Sequence, residues 1–336
     1  IIKITIFREI HFMLKKRFNE INGEFSKKKI LVIGDLMLDS YLWGSSERIS
    51  PEAPVPIIQV NKVEHNLGGA ANVALNLSSL GCEVLLVGLI GTDAEGEILK
   101  KLLYKNNIDF TSLVESVKRP TTVKSRIISQ DQQVLRTDRE IIDDISMESN
   151  EELNSIVSSF INNVDGVILE DYNKGVLNTF SISKIINLAN AANKPVYVDP
   201  KVKNFDLYKN VRLFKPNLSE FRSFYKKNTS LEKDGFDLKN NLNTDILMIT
   251  KSADGVSLFV DTDYYDIPTI ARSVHDVSGA GDTVIATFTL SDLCGATPKE
   301  SVLLSNFAAG RVCEEIGVVP INLNMLIEMI EHHDKL

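Results

Sequence analysis

No stretch of the 336 residues approaches the ~18–20 consecutive apolar residues that a membrane-spanning helix needs. The apolar start, residues 1–6, is cut short by Arg8 and Glu9, so no secretory signal is expected. Cysteine is scarce. Cys82, Cys294 and Cys313 are odd in number, far apart and form no C-x-x-C, which argues against a disulfide framework and for a reducing cytoplasmic compartment. The histidines, His11, His65, His275, His332 and His333, show no H-E-x-x-H or other metal spacing, so no histidine metal site is expected. Glycine and proline, at 18 and 10 residues, fall below average usage, against a collagenous chain or a long flexible linker. Cations are short too: 37 Lys and Arg face 45 Asp and Glu, a net charge of −8. A general nucleic-acid binder would show a basic surplus, so none is expected. A small anionic substrate stays open, because a few local cations and backbone amides suffice to hold it.

What is present is a globular α/β pattern, long enough for one large domain or two smaller ones. Residues 8–21 carry Ile10, Met13, Leu14, Phe18 and Ile21 near one helical face, an amphipathic extension within residues 1–28. Lys29-Ile30-Leu31-Val32-Ile33-Gly34-Asp35 is a continuous apolar run, as expected of a strand covered on both faces. A helix at 68–80 closed by Gly81, a strand at 84–90 and a helix at 94–104 capped by Asp93 follow. Strands are expected at 167–170, 195–199, 211–215 and 246–250. A hairpin at 256–267 and helices at 280–293, 298–315 and 323–330 complete the chain. Residues 55–60 and 121–137 break this rhythm as exposed strands. The expectation is one mostly parallel sheet with helices on both faces and a small β-sheet lid within about 36–61 and 116–140.

Asp276-Val277-Ser278-Gly279-Ala280-Gly281-Asp282-Thr283 lies between the hairpin and an apolar helix. Small residues at a helix start let backbone amides approach an anion. Asp282 in the first turn could cap the helix, or accept a proton from a hydroxyl beside a phosphate cradle. No G-x-G-x-x-G follows the first strand, so a dinucleotide-binding dehydrogenase is not expected.

Gly279-Ala280-Gly281-Asp282, with Gly68-Gly69-Ala70-Ala71-Asn72, resembles the ribokinase-like sugar kinases, the PfkB family. Arg48-Ile49-Ser50-Pro51-Glu52-Ala53-Pro54-Val55-Pro56 and Asn217-Leu218-Ser219-Glu220 look like its heptose 7-phosphate kinases of lipopolysaccharide core synthesis. Gly34-Asp35-Leu36-Met37-Leu38-Asp39 and Asp171-Tyr172-Asn173-Lys174-Gly175 fit the same subgroup. The likeness runs over about 29–330. It implies Asp282 as general base, with the amides of Gly279, Ala280 and Gly281 as the anion hole, and it puts Gly68, Gly69 and Asn72 at the sugar. Asp35 and Asp39 follow the first strand at the edge where ligands of open α/β sheets bind, and suit sugar hydroxyls or merely turn the chain. Lys124 and Arg126 alternate on one strand and share a face. They read as a clamp on the sugar phosphate or as a solvated strand edge, with Arg48 and Lys174 as weaker candidates.

On the nucleotide side the resemblance implies Asn217, Leu218, Ser219 and Glu220 near the ATP phosphates, with Glu220 ordering Mg²⁺ through water. Asp199, Lys201, Thr250, Lys251 and Gly255 would border ATP, and Asn306 the adenine. The bland alternatives are a polar helix start for the first set and a packing asparagine for the last. Two departures from the pattern are Ser278, where threonine is common, and Glu170, where a small residue is expected. The resemblance leaves a monovalent cation open. It implies a cytoplasmic, ATP-dependent kinase of the heptose 7-phosphate 1-hydroxyl, working as a homodimer joined through the lid. The alternatives are another sugar kinase of the family or a nucleotide-binding regulator without turnover. Some heptose kinases are fused to a cytidylyltransferase-like domain with an H-x-G-H loop; no such loop occurs. The expectation is therefore one catalytic body with a lid, standing alone or as part of a longer chain.

Overall fold

A computed structural model describes residues 15–130, 132–225, 229–269, 276–315 and 317–332. The strands are β1 (Lys29–Gly34), β2 (Leu36–Ile49), β3 (Pro56–Gly69), β4 (Glu83–Val87), β5 (Leu89–Gly91), β6 (Val114–Ser116) and β7 (Thr122–Ser129). They continue as β8 (Gln132–Arg139), β9 (Gly166–Glu170), β10 (Val196–Asp199), β11 (Leu213–Phe214), β12 (Ile246–Thr250), β13 (Val256–Val260) and β14 (Asp263–Ile267). Among the described residues eight strands form the central sheet, in the order β14-β13-β12-β11-β10-β9-β1-β4. The run from β12 to β4 is parallel, and β13 and β14 add an antiparallel margin.

β1 shows why its sequence does not alternate. Ile30 and Val32 enter one buried cluster, whereas Leu31 and Ile33 enter another on the opposite face. A strand covered by helices on both sides must be apolar at every position. The strands of this run are parallel, so they end on one side of the sheet. There Gly34, Glu170, Asp199, Phe214 and Thr250 terminate β1, β9, β10, β11 and β12. Polar residues just beyond these ends converge on one crevice.

The lid is a separate four-stranded sheet, β3-β2-β7-β8. Its strands within 36–69 and 122–139 fall largely where the sequence places them, but β2 is a 14-residue strand that pattern reading did not delimit. Residues 36–41 are buried and the end of β2 is exposed, so neither a uniform apolar run nor a uniform alternation marks it. The strand expected at 84–90 divides into β4 and β5, the latter pairing with β6. The helices at Ala94–Lys105, with Asp93 accepting from the Gly96 amide, and at Ala280–Leu293 appear as expected. Residues 15–21 of the extension are helical, with Phe18 and Ile21 in the core; the rest of it, and His11, His275 and His333, lie outside the described residues.

Candidate active site

The centre of the crevice is Asp282, 3% exposed, in the first turn of the Ala280–Leu293 helix. Two donors hold its carboxylate. Asn72 Nδ2 donates to Oδ2 at 2.7 Å and the Tyr172 hydroxyl to Oδ1 at 2.8 Å. Asn72 stands in the first turn of the Ala70–Ser79 helix, and Asn76, one turn on, donates to the Asn72 carbonyl. Asn76 Oδ1 in turn accepts from Thr283 Oγ1 and from the Ile321 amide. Gly279, at φ 78°, lets these helices meet: a Cβ there would come within 2.7 Å of Asn72 Nδ2. Gly281 is exposed while Asp282 is buried, so the helix N-terminus opens outward and the carboxylate sits beneath it. Such a helix start can cradle an anion next to a carboxylate able to take a proton. Burial pushes Asp282 up to about 6, although the Asn72 and Tyr172 hydrogen bonds favour its ionised form.

Beneath the cradle lie further charges. Oxygens of Glu170, Asp199 and Asp282 fall within 4.8 Å of one another. Lys215, 3% exposed, pairs with Asp199 at 2.6 Å, and its Nζ would stand 3.8 Å from a Cβ on Gly281. Glu170 Oε2 is buried without a protein partner. Burial and the neighbouring Asp199 and Asp282 raise Glu170 well above the ordinary carboxyl range, favouring the neutral acid.

The two early aspartates separate. Asp35 accepts from the amides of Tyr172, Lys174 and Val176, at 2.9, 2.9 and 3.1 Å, and so shapes the loop after β9. Burial, with Asp171 nearby, raises Asp35 to about 6. This is the turn-forming alternative for Asp35, and it leaves Asp39 as the carboxylate presented by the lid. Asp39 pairs with Arg126 at 2.5 Å, and the Arg126 guanidinium lies 5.2 Å from the Tyr41 ring centre. Gly68 packs against Asp39: a Cβ would meet Oδ2 at 2.4 Å. Gly69 turns the chain from β3 into its helix at φ 59°. Of the expected cations, Lys124 and Lys174 share a carboxylate, Glu140. Lys124 reaches Asp138 and Glu140, at 3.2 and 3.3 Å, and Lys174 reaches Glu140 at 2.7 Å. Arg48, near the far end of β2, is exposed.

On the nucleotide side, Asn217 caps the Leu218–Phe224 helix by accepting from the Glu220 amide. Glu220 Oε2 accepts from the Asn217 amide, and its Oε1 pairs with Lys201 at 2.6 Å. The polar helix start expected of these residues is present as a reciprocal cap. Burial opposes the Lys201 ammonium, but Asp199 and Glu220 outweigh it and raise its pKa. Asn217, Leu218, Ser219, Thr250 and Lys251 line an open cleft of about 760 Å³. Lys251 pairs with Asp266, and its amide donates to the Gly255 carbonyl. Asn306 is 7% exposed and donates to the Pro268 carbonyl, beside the Gly255 turn. The Glu220 oxygens keep lone pairs beyond these contacts, and hard oxygen donors of this kind suit a hydrated Mg²⁺.

Sequence reading assigned no role to Tyr172, Lys215, Asn76 or Glu140. Tyr172 stands inside a quoted block and Lys215 ends an expected strand, which were the available signals. Asn76 and Glu140 carry no pattern of their own.

A doubly wound sheet with a lid, and a carboxylate beneath a glycine-lined helix start, define a phosphotransferase whose acceptor is a sugar hydroxyl. Residues 27–323 match the profile described as pfkB family carbohydrate kinase, and the chain belongs to that family. The "Bifunctional protein HldE" of Helicobacter pylori strain HPAG1 is 41% identical over 329 residues, covering 92% of this chain and 71% of its own length. That of Haemophilus influenzae strain PittEE is 41% identical over 307 residues, covering 90% of this chain and 63% of its own length. Among solved structures, Arabidopsis thaliana ribokinase complexed with ribose and ATP superposes with a TM-score of 0.70 at 17% identity, covering 90% of this chain and 99% of that one. The tetrameric inhibited form of Escherichia coli phosphofructokinase-2 gives 0.75 at 16% identity, covering 91% and 99%.

Proposed function

We propose that the protein phosphorylates the anomeric 1-hydroxyl of D-glycero-β-D-manno-heptose 7-phosphate with ATP, giving the 1,7-bisphosphate, in ADP-heptose synthesis for lipopolysaccharide core. The observation that carries the chemistry is the buried Asp282, held by Asn72 and Tyr172 beside residues 279–281. The likeness to the HldE proteins supports the heptose. The hydroxyl oxygen attacks the γ-phosphorus as its proton passes to Asp282, and the bond to the bridging oxygen breaks to release ADP. Helix-start amides of Gly279, Ala280 and Gly281 hold the transferring group, with Lys215 alongside. Mg²⁺, ordered by Glu220 through water, offsets charge on the β- and γ-phosphates when it is bound. Asp39, Gly68, Gly69 and Asn72 orient the sugar. Lys124, Arg126 and Lys174 take its 7-phosphate in exchange for their present carboxylate partners. Asp199, Lys201, Asn217, Leu218, Ser219, Thr250, Lys251, Gly255 and Asn306 border the nucleotide. The lid covers the site and excludes water, limiting ATP hydrolysis.

Phosphate transfer from ATP to heptose 7-phosphate tests this, with ribose, fructose and unphosphorylated heptose as competitors. Equal or better turnover of ribose or fructose would overturn the substrate. The partner in the assembly is a second copy joined through the lid, whose edge strands β3 and β8 pair on one side only among the described residues. Exposed Val60, Val63, Val134 and Leu135 support that contact. ATP as co-substrate and the free thiols of Cys82, Cys294 and Cys313 fit a cytoplasmic enzyme. No described helix is long and apolar enough to cross a membrane.

A further inference from the structure

We infer that Tyr172 is a positioning residue for the reaction: its hydroxyl orients Asp282 and sets the pH at which that carboxylate works as the base. The inference rests on Asp282 being the base. Three contacts fix the tyrosine from different parts of the fold. Its amide donates to Asp35 Oδ2 at 2.9 Å, which ties the loop after β9 to the end of β1. Lys201 Nζ stands 5.1 Å from the ring centre, so a cation held by the nucleotide-side Glu220 rests on the ring face. A Cβ on Gly69 would lie 3.5 Å from the ring, which places the sugar-side turn against its edge. The hydroxyl then meets Asp282 Oδ1 at 2.8 Å. A side chain pinned from the sugar side, the nucleotide side and the backbone can present its O–H in one direction only.

The consequence is electrostatic as well as steric. Asp282 faces Glu170 and Asp199 from the ends of β9 and β10, Lys215 from beyond β11, Asn72 from the neighbouring helix, and Tyr172. Burial and Asp199 favour the protonated acid, which cannot accept the sugar proton. The donors Asn72 and Tyr172, with Lys215, favour the carboxylate. The phenol cannot relieve the site by ionising, because burial and Asp282 raise its own pKa well above the ordinary value. It stays a donor. Asn72 is shared with the sugar side, whereas Tyr172 is committed to the base.

The test is the pH dependence of kcat/KM for heptose 7-phosphate with saturating MgATP, which reports groups of the enzyme–MgATP complex together with the sugar phosphate's own ionisation at about 6. The latter is the same for every variant, so the difference between variants is read. Tyr172→Phe removes only the hydroxyl. Its acid limb should move up by about one pH unit, the scale of a hydrogen bond to a charged group, with activity largely recovered at alkaline pH. Mono-fluorinated tyrosine at 172 is a stronger donor of nearly the same size and should move the limb the other way. It also decides the matter if Tyr172→Phe does not fold. A limb that stays in place in a folded variant overturns the inference, since loss of packing alone would lower activity equally at every pH. Asp282→Asn separates the two readings. Near-normal turnover there removes the base itself; an inactive Asp282→Asn with an unmoved limb in the Tyr172 variants removes only the role of Tyr172.

Discussion

Asp282 is held ionisable in a place that disfavours charge, and both its reactivity and a stability cost follow. Asp282→Asn should keep the fold and lose about 10²–10⁴-fold in kcat, the usual scale for a general base, in a phosphate-transfer assay. The same residue shapes stability. Its folded pKa of about 6 exceeds the ordinary 3.8, so the folded state binds this proton more tightly than the unfolded chain does. The contribution is therefore fully present below about 3.8 and lost as pH rises through about 6. Urea unfolding across that window should show wild type losing about 2–3 kcal/mol relative to Asp282→Asn. A difference that stays constant with pH would mean the carboxyl is not perturbed by burial.

Elements position the site by their ends. The Ala280–Leu293 helix begins at Gly279 with φ 78°, where a side chain is strained and would also strike Asn72. Gly279→Ala should cost about 1–2 kcal/mol in chemical denaturation and depress kcat, because the displaced Asn72 no longer holds Asp282. In the lid, Lys124 and Arg126 come from one face of β7 and meet carboxylates of β8, β2 and the residue after β8. Replacing Lys124 or Arg126 with Ala should raise KM for heptose 7-phosphate by at least about 10-fold, the range for a lost charged contact, and leave KM for ATP unchanged. β7 lies inside the lid sheet and Lys124 is buried, which removes the solvated strand edge as the alternative. Unchanged sugar-phosphate KM would leave these side chains as ion pairs within the lid.

At the scale of the molecule, a deep sheet with helices on both faces supports a lid that has no core of comparable depth. β8 is exposed along its whole length, and the far ends of β2 and β3 are exposed as well. Free strand edges with apolar side chains seek a partner. Light scattering should give twice the chain mass, and a charge at Val63, as in Val63→Asp, should shift it toward the single chain. A single-chain mass for wild type would refute assembly through the lid.

Much of this was readable from local pattern. Apolar runs such as residues 30–33 identify buried parallel strands, and the ends of those strands locate the crevice without tertiary information. The glycine-rich start of the Ala280–Leu293 helix is legible as a candidate anion site because its chemistry lies within eight consecutive residues. β2 was obscured because its burial changes along its length. The partners of Asp282 could not be read at all: Asn72 lies 210 residues away and Tyr172 lies 110 away. The same holds for the division of labour between Asp35 and Asp39, which look equivalent in the chain. One is enclosed by three amides of a distant loop, and the other faces Arg126 across the lid. Sequence by itself determined the family and the sheet and pointed to Asp282 as the candidate base, because periodicity and contiguous motifs are local properties. Only the tertiary structure decided which donors hold Asp282 and which aspartate is enclosed by backbone amides, because hydrogen bonds are made by proximity in space.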